Sequence, residues 1–230
     1  MTKSKRSTSL EIAYEKILQK IISEQFTPGM PLREDRLAKE FDVSTTPIRE
    51  AFRRLEYEGW LQSIPFCGVF LRKFSIQDID ELYRLREGLE GIAAAAAARC
   101  ATPDEMAAIA EVVKSEQRYM ENAIQSHDHD DVPLAFSSDM DFHAAVLAAS
   151  HNDLLKQRLT TLKAQITFSL MLVKKRKNTA IRLQEVCEEH HMIFIAMQRG
   201  WDDLAEALMR RHISEARKKY ADFARDDGAI

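Results

Sequence analysis

No run of about eighteen apolar residues occurs anywhere in these 230 residues, so the sequence offers no membrane-spanning helix. The start of the chain, Met1 to Ser9, is polar and basic and leads into an amphipathic segment rather than an apolar signal core, which predicts a protein that is neither secreted nor membrane-bound. Cysteine is scarce as well. Cys67, Cys100 and Cys187 are odd in number, far apart and outside any C-x-x-C spacing, which argues against a disulfide framework or a cysteine zinc site and predicts a reducing, cytoplasmic setting. With only 7 glycines and 6 prolines, fibrous and low-complexity architectures are excluded and long uninterrupted helices are expected. No internal repeat is present to suggest a solenoid.

What is present is 45% hydrophobic and 30% charged residues, in a chain long enough for two modest domains with cores of their own. The formal net charge of -3 hides an asymmetry. Residues 1 to 74 carry 13 Lys and Arg against 10 Asp and Glu, whereas residues 75 to 230 carry 20 against 26. A basic first third and an acidic remainder suit a nucleic-acid partner for the first part alone, although the excess is small.

Periodicity divides the chain at the same place. Leu10, Ile12, Ala13, Ile17, Leu18, Ile21 and Ile22 mark one face of a helix that Thr27, Pro28 and Gly29 stop. A short helix from Glu34 to Phe41 follows, then a turn at Asp42 and Val43. A third helix is expected to be capped by Ser44 or Thr45, with Pro47 tolerated in its first turn and Ile48, Ala51, Phe52 and Leu55 turned inward. Trp60 to Ile64 and Val69 to Arg72 read as two strands of a hairpin through Gly68. Beyond Phe74 the pattern predicts six helices, at about 75 to 99, 103 to 124, 133 to 149, 153 to 176, 179 to 199 and 202 to 225. Helices of that length and spacing form an antiparallel bundle most simply. The expected fold is therefore mainly α, with a winged helix-turn-helix over residues 8–74 and an all-helical bundle over residues 75–226.

In a helix-turn-helix the second helix projects its N-terminal residues into the major groove. Ser44, Thr45, Thr46, Arg49 and Arg53 face outward on the third helix, with the two arginines four residues apart on one face. Hydroxyls suit phosphate oxygens, and arginines suit phosphates or guanine edges. The run "LAKEFDVSTTPIREAFRRLEYEGWL", continued through Gly68, resembles the winged helix-turn-helix of the GntR family, whose pattern is V-S-x-T-P-V-R-E-A-L-x-x-L-x-x-x-G. Thr45 stands where many relatives carry arginine. The resemblance implies a double-stranded DNA operator as partner, with Ser44, Thr45, Thr46, Arg49, Arg53 and Gly68 at the interface.

In the second part, Asp139 and His143 are four residues apart and share a helix face, while His190 and His212 lie on two later helices. By spacing alone they are open to two readings, ordinary satisfied histidines or an oxygen and three nitrogens around a divalent ion. The segments around Ile79 to Glu90, "DMDFHAAVLAASHN", Glu189 to Ile193 and Met209 to Ile213 resemble the FadR-type C-terminal domain called FCD. Its metal-binding members hold the ion with D-x-x-F-H, a histidine in E-H-x-x-I and a later histidine, which implies Asp139, His143, His190 and His212 as ligands for zinc, nickel or manganese. His191 is the competitor of His190 and is turned about 100 degrees away on the same helix. Arg86 matches a family arginine and either clamps an effector carboxylate or pairs with Glu90 four residues on. The cluster from His127 to Asp131 reads as a solvated loop.

Together these features predict a homodimeric transcriptional regulator whose operator binding is modulated by a small organic acid bound at the metal. A sensor of the metal ion itself is the alternative, and a metal-dependent hydrolytic enzyme a more distant one. Nothing in the proposed mechanism requires catalysis.

Overall fold

The computed structural model describes residues 8–23, 25–126, 132–172 and 179–226; the segment His127 to Asp131 and the expected break at Asn178 lie outside them. The chain divides into two compact units, Met1–Ser75 with Thr161–Leu172, and Ile76–Thr160 with Val173–Ile230.

The first unit opens with α1, Ser9–Ile22. Thr8 and Glu11 form a reciprocal capping box at its start, with Thr8 N–H to Glu11 Oε2 at 2.7 Å and Glu11 N–H to Thr8 Oγ1 at 3.2 Å. Its buried stripe Ala13, Ile17 and Ile21 packs against α3, Thr45–Tyr57, through Ile48, Ala51, Phe52 and Leu55. Between them lies α2, Glu34–Phe41. The tight turn between α2 and α3 depends on Asp42 in the left-handed region, with φ 56 and ψ 49, and on the Val43 N–H reaching back to the Ala38 carbonyl at 3.0 Å. Ser44 occupies the N-cap position of α3 with extended backbone, yet its side chain makes no capping hydrogen bond. Its hydroxyl is left exposed to solvent.

The hairpin strands are β2, Leu61–Ile64, and β3, Gly68–Leu71. A strand that periodicity did not predict, β1 at Pro31–Leu32, joins them in an antiparallel sheet of order β1-β3-β2. Two residues are too few to show alternation, and Pro31 sits at the start of an edge strand, where its missing donor costs no ladder bond. Leu32 pairs with Val69, and Leu61 with Leu71.

The second unit is helical throughout its described residues: α4 Ile76–Cys100, α5 Pro103–Ser126, α6 Val132–Ala149, the first part of α7 Asp153–Leu172, α8 Thr179–Gln198 and α9 Asp202–Asp226. Helices α4 and α9 run antiparallel, as their end-to-end ion pairs require: Asp80 with Arg217 at 2.5 Å and Arg99 with Asp202 at 2.6 Å. Beyond Gly91, α4 buries the small residues Ala93, Ala94, Ala95 and Ala97 in the bundle. At Gly91 even a Cβ would meet Arg210 Cγ at 2.8 Å, so the backbones are as near as their neighbours permit. Gly200 ends α8 with φ 70, and the Trp201 N–H closes the turn on the Ala196 carbonyl at 2.9 Å. The core between the helices is filled by Ile109, Val113, Phe142, Leu159, Ile193, Met197, Met209 and Ile213.

Candidate metal centre and reading head

Three helices of the second unit turn four ionisable groups inward at one level. Asp139 and His143 come from α6, His190 from α8 and His212 from α9. One ligand atom from each lies within 4.8 Å of all the others. His212 Nε2 is 3.2 Å from His143 Nε2 and 3.3 Å from His190 Nε2. Asp139 Oδ1 stands 3.7 Å from the Nε2 atoms of His143 and His190 and 4.0 Å from that of His212. The three imidazoles are essentially sealed from solvent, and the Asp139 side chain is 24% exposed. His191, the neighbour of His190, points outward.

The far nitrogen of each ring meets a carboxylate. His190 Nδ1–H donates to Glu116 Oε2 of α5 at 2.9 Å, and His212 Nδ1–H donates to Glu189 Oε2 at 2.7 Å. His143 Nδ1 is paired with Glu90 of α4. Anchored in this way, each neutral imidazole carries its proton on Nδ1 and turns a lone pair at Nε2 toward the centre. In that state the His212 Nε2, 3.2 Å from that of His143 and 3.3 Å from that of His190, faces two lone pairs that repel its own and cannot hydrogen-bond to it. The same spacing is what nitrogens adopt around one divalent ion bound at about 2.0–2.1 Å. The donor set therefore fits a borderline cation such as zinc or nickel.

Electrostatics favour an ionised Asp139 and a neutral His212, whereas at His143 burial disfavours the charge but Glu90 and Asp139 outweigh it and raise the pKa, so that ring must give up its proton to take an ion. Burial works to raise the Asp139 pKa, but the His143 hydrogen bond and the charges of His143, His190 and Arg86 outweigh it and hold the carboxyl well below its ordinary value. Burial, then the neighbouring His190 and His143, push His212 well below the usual imidazole value. An ionised carboxylate and neutral imidazoles are the forms that bind metal.

Of the two arrangements expected for Arg86, the pair with Glu90 is present. Its Nε donates to Glu90 Oε1 at 2.8 Å, with side chains 6% and 3% exposed, so Glu90 bridges the arginine and His143. Its Nη2 is buried and has no hydrogen-bond partner among the described residues. Burial disfavours the guanidinium charge, but Glu90 and Asp139 more than compensate and raise its pKa. A cleft of about 460 Å³ between α8 and α9 opens beside the cluster, with Glu188, Glu189, Met192, Arg211 and His212 in its wall.

Sequence reasoning missed Glu116 and Glu189 as partners of the histidines. A signal for Glu116 existed: Ile109, Val113 and Glu116 form the buried stripe of α5, and an unpaired carboxylate on such a stripe is costly enough to demand a partner. Glu189 carried only its adjacency to His190.

In the first unit, Ser44, Thr45, Thr46, Arg49 and Arg53 are all exposed on α3, and Gly68 is exposed at the start of β3 with φ 110. Arg49 is not loose. Its Nε lies 3.0 Å and its Nη2 2.8 Å from Glu34 Oε2, which ties α3 to the start of α2.

Over residues 81–215 the chain matches the FCD domain, and over residues 10–71 it matches the bacterial regulatory proteins of the gntR family. It is 27% identical over 203 residues to the HTH-type transcriptional repressor RspR of Escherichia coli (strain K12), covering 88% of this chain and 84% of that one. It is 29% identical over 148 residues to the Nta operon transcriptional regulator of Aminobacter aminovorans, covering 64% and 67%. Among solved structures it is similar in fold to E. coli McbR/YncC, with a TM-score of 0.68 at 19% identity over 91% of this chain and 95% of that chain.

Truncating Glu116 strands the buried His190 Nδ1–H. Glu116→Ala is expected to cost about 1–3 kcal/mol in metal-free protein, and Glu116→Gln, which keeps an acceptor, less. Denaturant titrations of the two variants in the presence of a chelator check this ordering.

Proposed function

This chain belongs to the FCD domain family and carries a DNA-binding head of the bacterial gntR regulatory family, and from that premise we propose that its operator binding is set by a small carboxylate seated at a metal ion in the helical unit. As a DNA-binding transcriptional regulator it needs a reading surface and a switch. We assign reading to residues 8–74 and sensing and pairing to residues 75–226. No helix of the described residues is long and apolar enough to cross a membrane.

The observation that carries this reading is the convergence of three imidazole lone pairs and one carboxylate oxygen, with the open Nη2 of Arg86 nearby. Asp139, His143, His190 and His212 would hold the ion, which when bound supplies a Lewis-acidic point for an anionic oxygen. Four protein ligands leave positions for an exogenous one only if the ion expands beyond four-coordination, as nickel and manganese do more readily than zinc. Arg86 offers a second, charge-assisted contact to the same carboxylate. Glu90 fixes both the arginine and His143, so an anion drawing on Arg86 is felt at a metal ligand through one carboxylate.

Two chains paired through their bundles would set two copies of α3 about one helical turn of DNA apart on a pseudo-palindromic operator. The effector biases that arrangement only as far as its affinity differs between the operator-competent and incompetent states. Titrating operator affinity with metal alone and then with organic acids separates a carboxylate sensor from a sensor of the ion. If acids change nothing at saturating metal, the carboxylate reading fails.

His143→Ala is expected to purify without its ion while keeping its helical circular dichroism, with elemental analysis giving one divalent ion per wild-type chain and a large deficit in the variant. A full complement in the variant would sink the ligand assignment. On the DNA side, Arg49→Ala and Arg53→Ala are each expected to weaken operator binding by about 1–3 kcal/mol if they contact bases. Wild-type affinity should fall steeply with salt. Unchanged affinity in both variants, measured by fluorescence anisotropy, would remove α3 from the interface.

A further inference from the structure

The hairpin of the first unit is built against ordinary expectations. From Leu61 to Leu71 it carries no charged residue, although Arg53 and Arg54 precede it and Arg72 and Lys73 follow. Its tip is Ile64, Pro65, Phe66 and Cys67, closed by the Cys67 N–H donating to the Ile64 carbonyl at 3.0 Å. Phe66 has φ 62 and is fully exposed, and Ile64 beside it is 40% exposed.

A turn with proline second and a positive φ third is the type II arrangement, whose third position is normally glycine or asparagine. A phenyl side chain there forces an L residue into the left-handed region and leaves a large apolar surface in water. Neither feature helps the fold, because Phe66 packs no core. Strain and exposure at one residue are therefore a reason to look for what the residue meets.

The tip is also rigidly mounted on the reading helix. The Trp60 N–H donates to the Leu55 carbonyl at the end of α3, and the Arg72 N–H to the Trp60 carbonyl, both at 2.9 Å. The Ser63 N–H of β2 donates to the Glu56 carboxylate of α3 at 2.9 Å. Trp60, Leu61 and Leu71 bury the base of the hairpin. Phe66 is thus held at a fixed offset from the α3 residues that face DNA. With α3 in the major groove, an element beside it meets the phosphate backbone or the adjoining minor groove. A tip with no charge gains nothing from phosphates, whereas an aromatic face gains by contact with unstacked bases.

We propose that Phe66 is an apolar wedge that enters the minor groove next to the α3 site and opens a base step, bending the operator. The inference rests on α3 as the reading helix and adds to it a residue that selects for deformable steps such as TA or CA, which open at lower cost. It requires no base-edge hydrogen bond from the hairpin.

The test uses the full-length protein and a duplex recovered by that protein from a random-sequence pool, labelled at its ends for energy transfer. Wild type is expected to raise the transfer efficiency on binding. Phe66→Ala is expected to lose that rise and about tenfold in affinity, with an unchanged slope of log affinity against log salt because no phosphate contact is lost. Phe66→Gly, which relaxes the positive φ, should melt at a higher temperature than wild type and still lose the bend. Arg49→Ala reports separately on α3. Wild-type bending and affinity in Phe66→Ala would overturn the wedge while Arg49→Ala still weakens binding; no effect from either variant would overturn α3 as the reading helix. A shift in oligomeric state of Phe66→Ala, seen by sedimentation without any change in bend, would also overturn the proposal by assigning the phenyl to a protein partner.

Discussion

Three imidazole rings are buried here, the inner nitrogen of His212 lying 3.2 Å from that of His143 and 3.3 Å from that of His190, and the helical unit is arranged around making that tolerable. The device is a carboxylate behind each ring, supplied by α4, α5 and α8. Glu116 and Glu189 each satisfy a ring donor that would otherwise be stranded, while Glu90 stands as an ionic partner to His143, and together they set which nitrogens face the centre. The helices that carry neither ligand nor anchor have no comparable constraint. Four elements, α4, α5, α6 and α8, must keep their register to within an ångström or so for the rings and acids to meet, and α9 must do so through His212 alone. Such a network imposes a unique packing of the bundle more strictly than the apolar side chains around it, which tolerate exchange of shape.

Much of this architecture was legible in the chain. Helical periodicity placed the elements of the second unit because they are long, and long amphipathic stretches average out local noise. The turn before α3 and the exposed face of that helix were readable from Asp42, Pro47 and the arginine spacing. The strand at Pro31–Leu32 was not, since two residues carry no period. The expected cap at Ser44 was half right, because the backbone adopts the cap conformation while the hydroxyl stays free of the helix. At the candidate centre, the meeting of the Asp139–His143 pair with the two remote histidines, His190 and His212, was foreseeable only through family resemblance, since spacing within one helix says nothing about others. The choice of His190 over His191 came from the family register, between Glu189 and Ile193, and agrees with the side of α8 that is buried. Of the two partners the sequence offered Arg86, the pair with Glu90 is present, and its Nη2 has no hydrogen-bond partner among the described residues.

The reading head depends on a weaker and more exposed set of contacts. Glu34 holds Arg49 in the absence of DNA, at a side chain 57% exposed, so the pair is strongly screened and adds little to stability. In the proposed contact with DNA, the arginine would have to leave that carboxylate before meeting a base or phosphate, which would penalise sites that do not replace the partner. The tether also keeps a long side chain from sampling many rotamers, so less freedom is lost on docking.

Phe142 stacks on His190 with ring centroids 3.9 Å apart and planes 17° from parallel, and it is itself wholly enclosed by core. His190 consequently cannot swing to another rotamer without displacing a ring that has nowhere to go. Most ordering needed to grip a cation has then been completed during folding, so association is limited by access rather than by rearrangement. Escape carries the same restriction, and a centre assembled in this way is suited to long occupancy rather than rapid turnover of its contents.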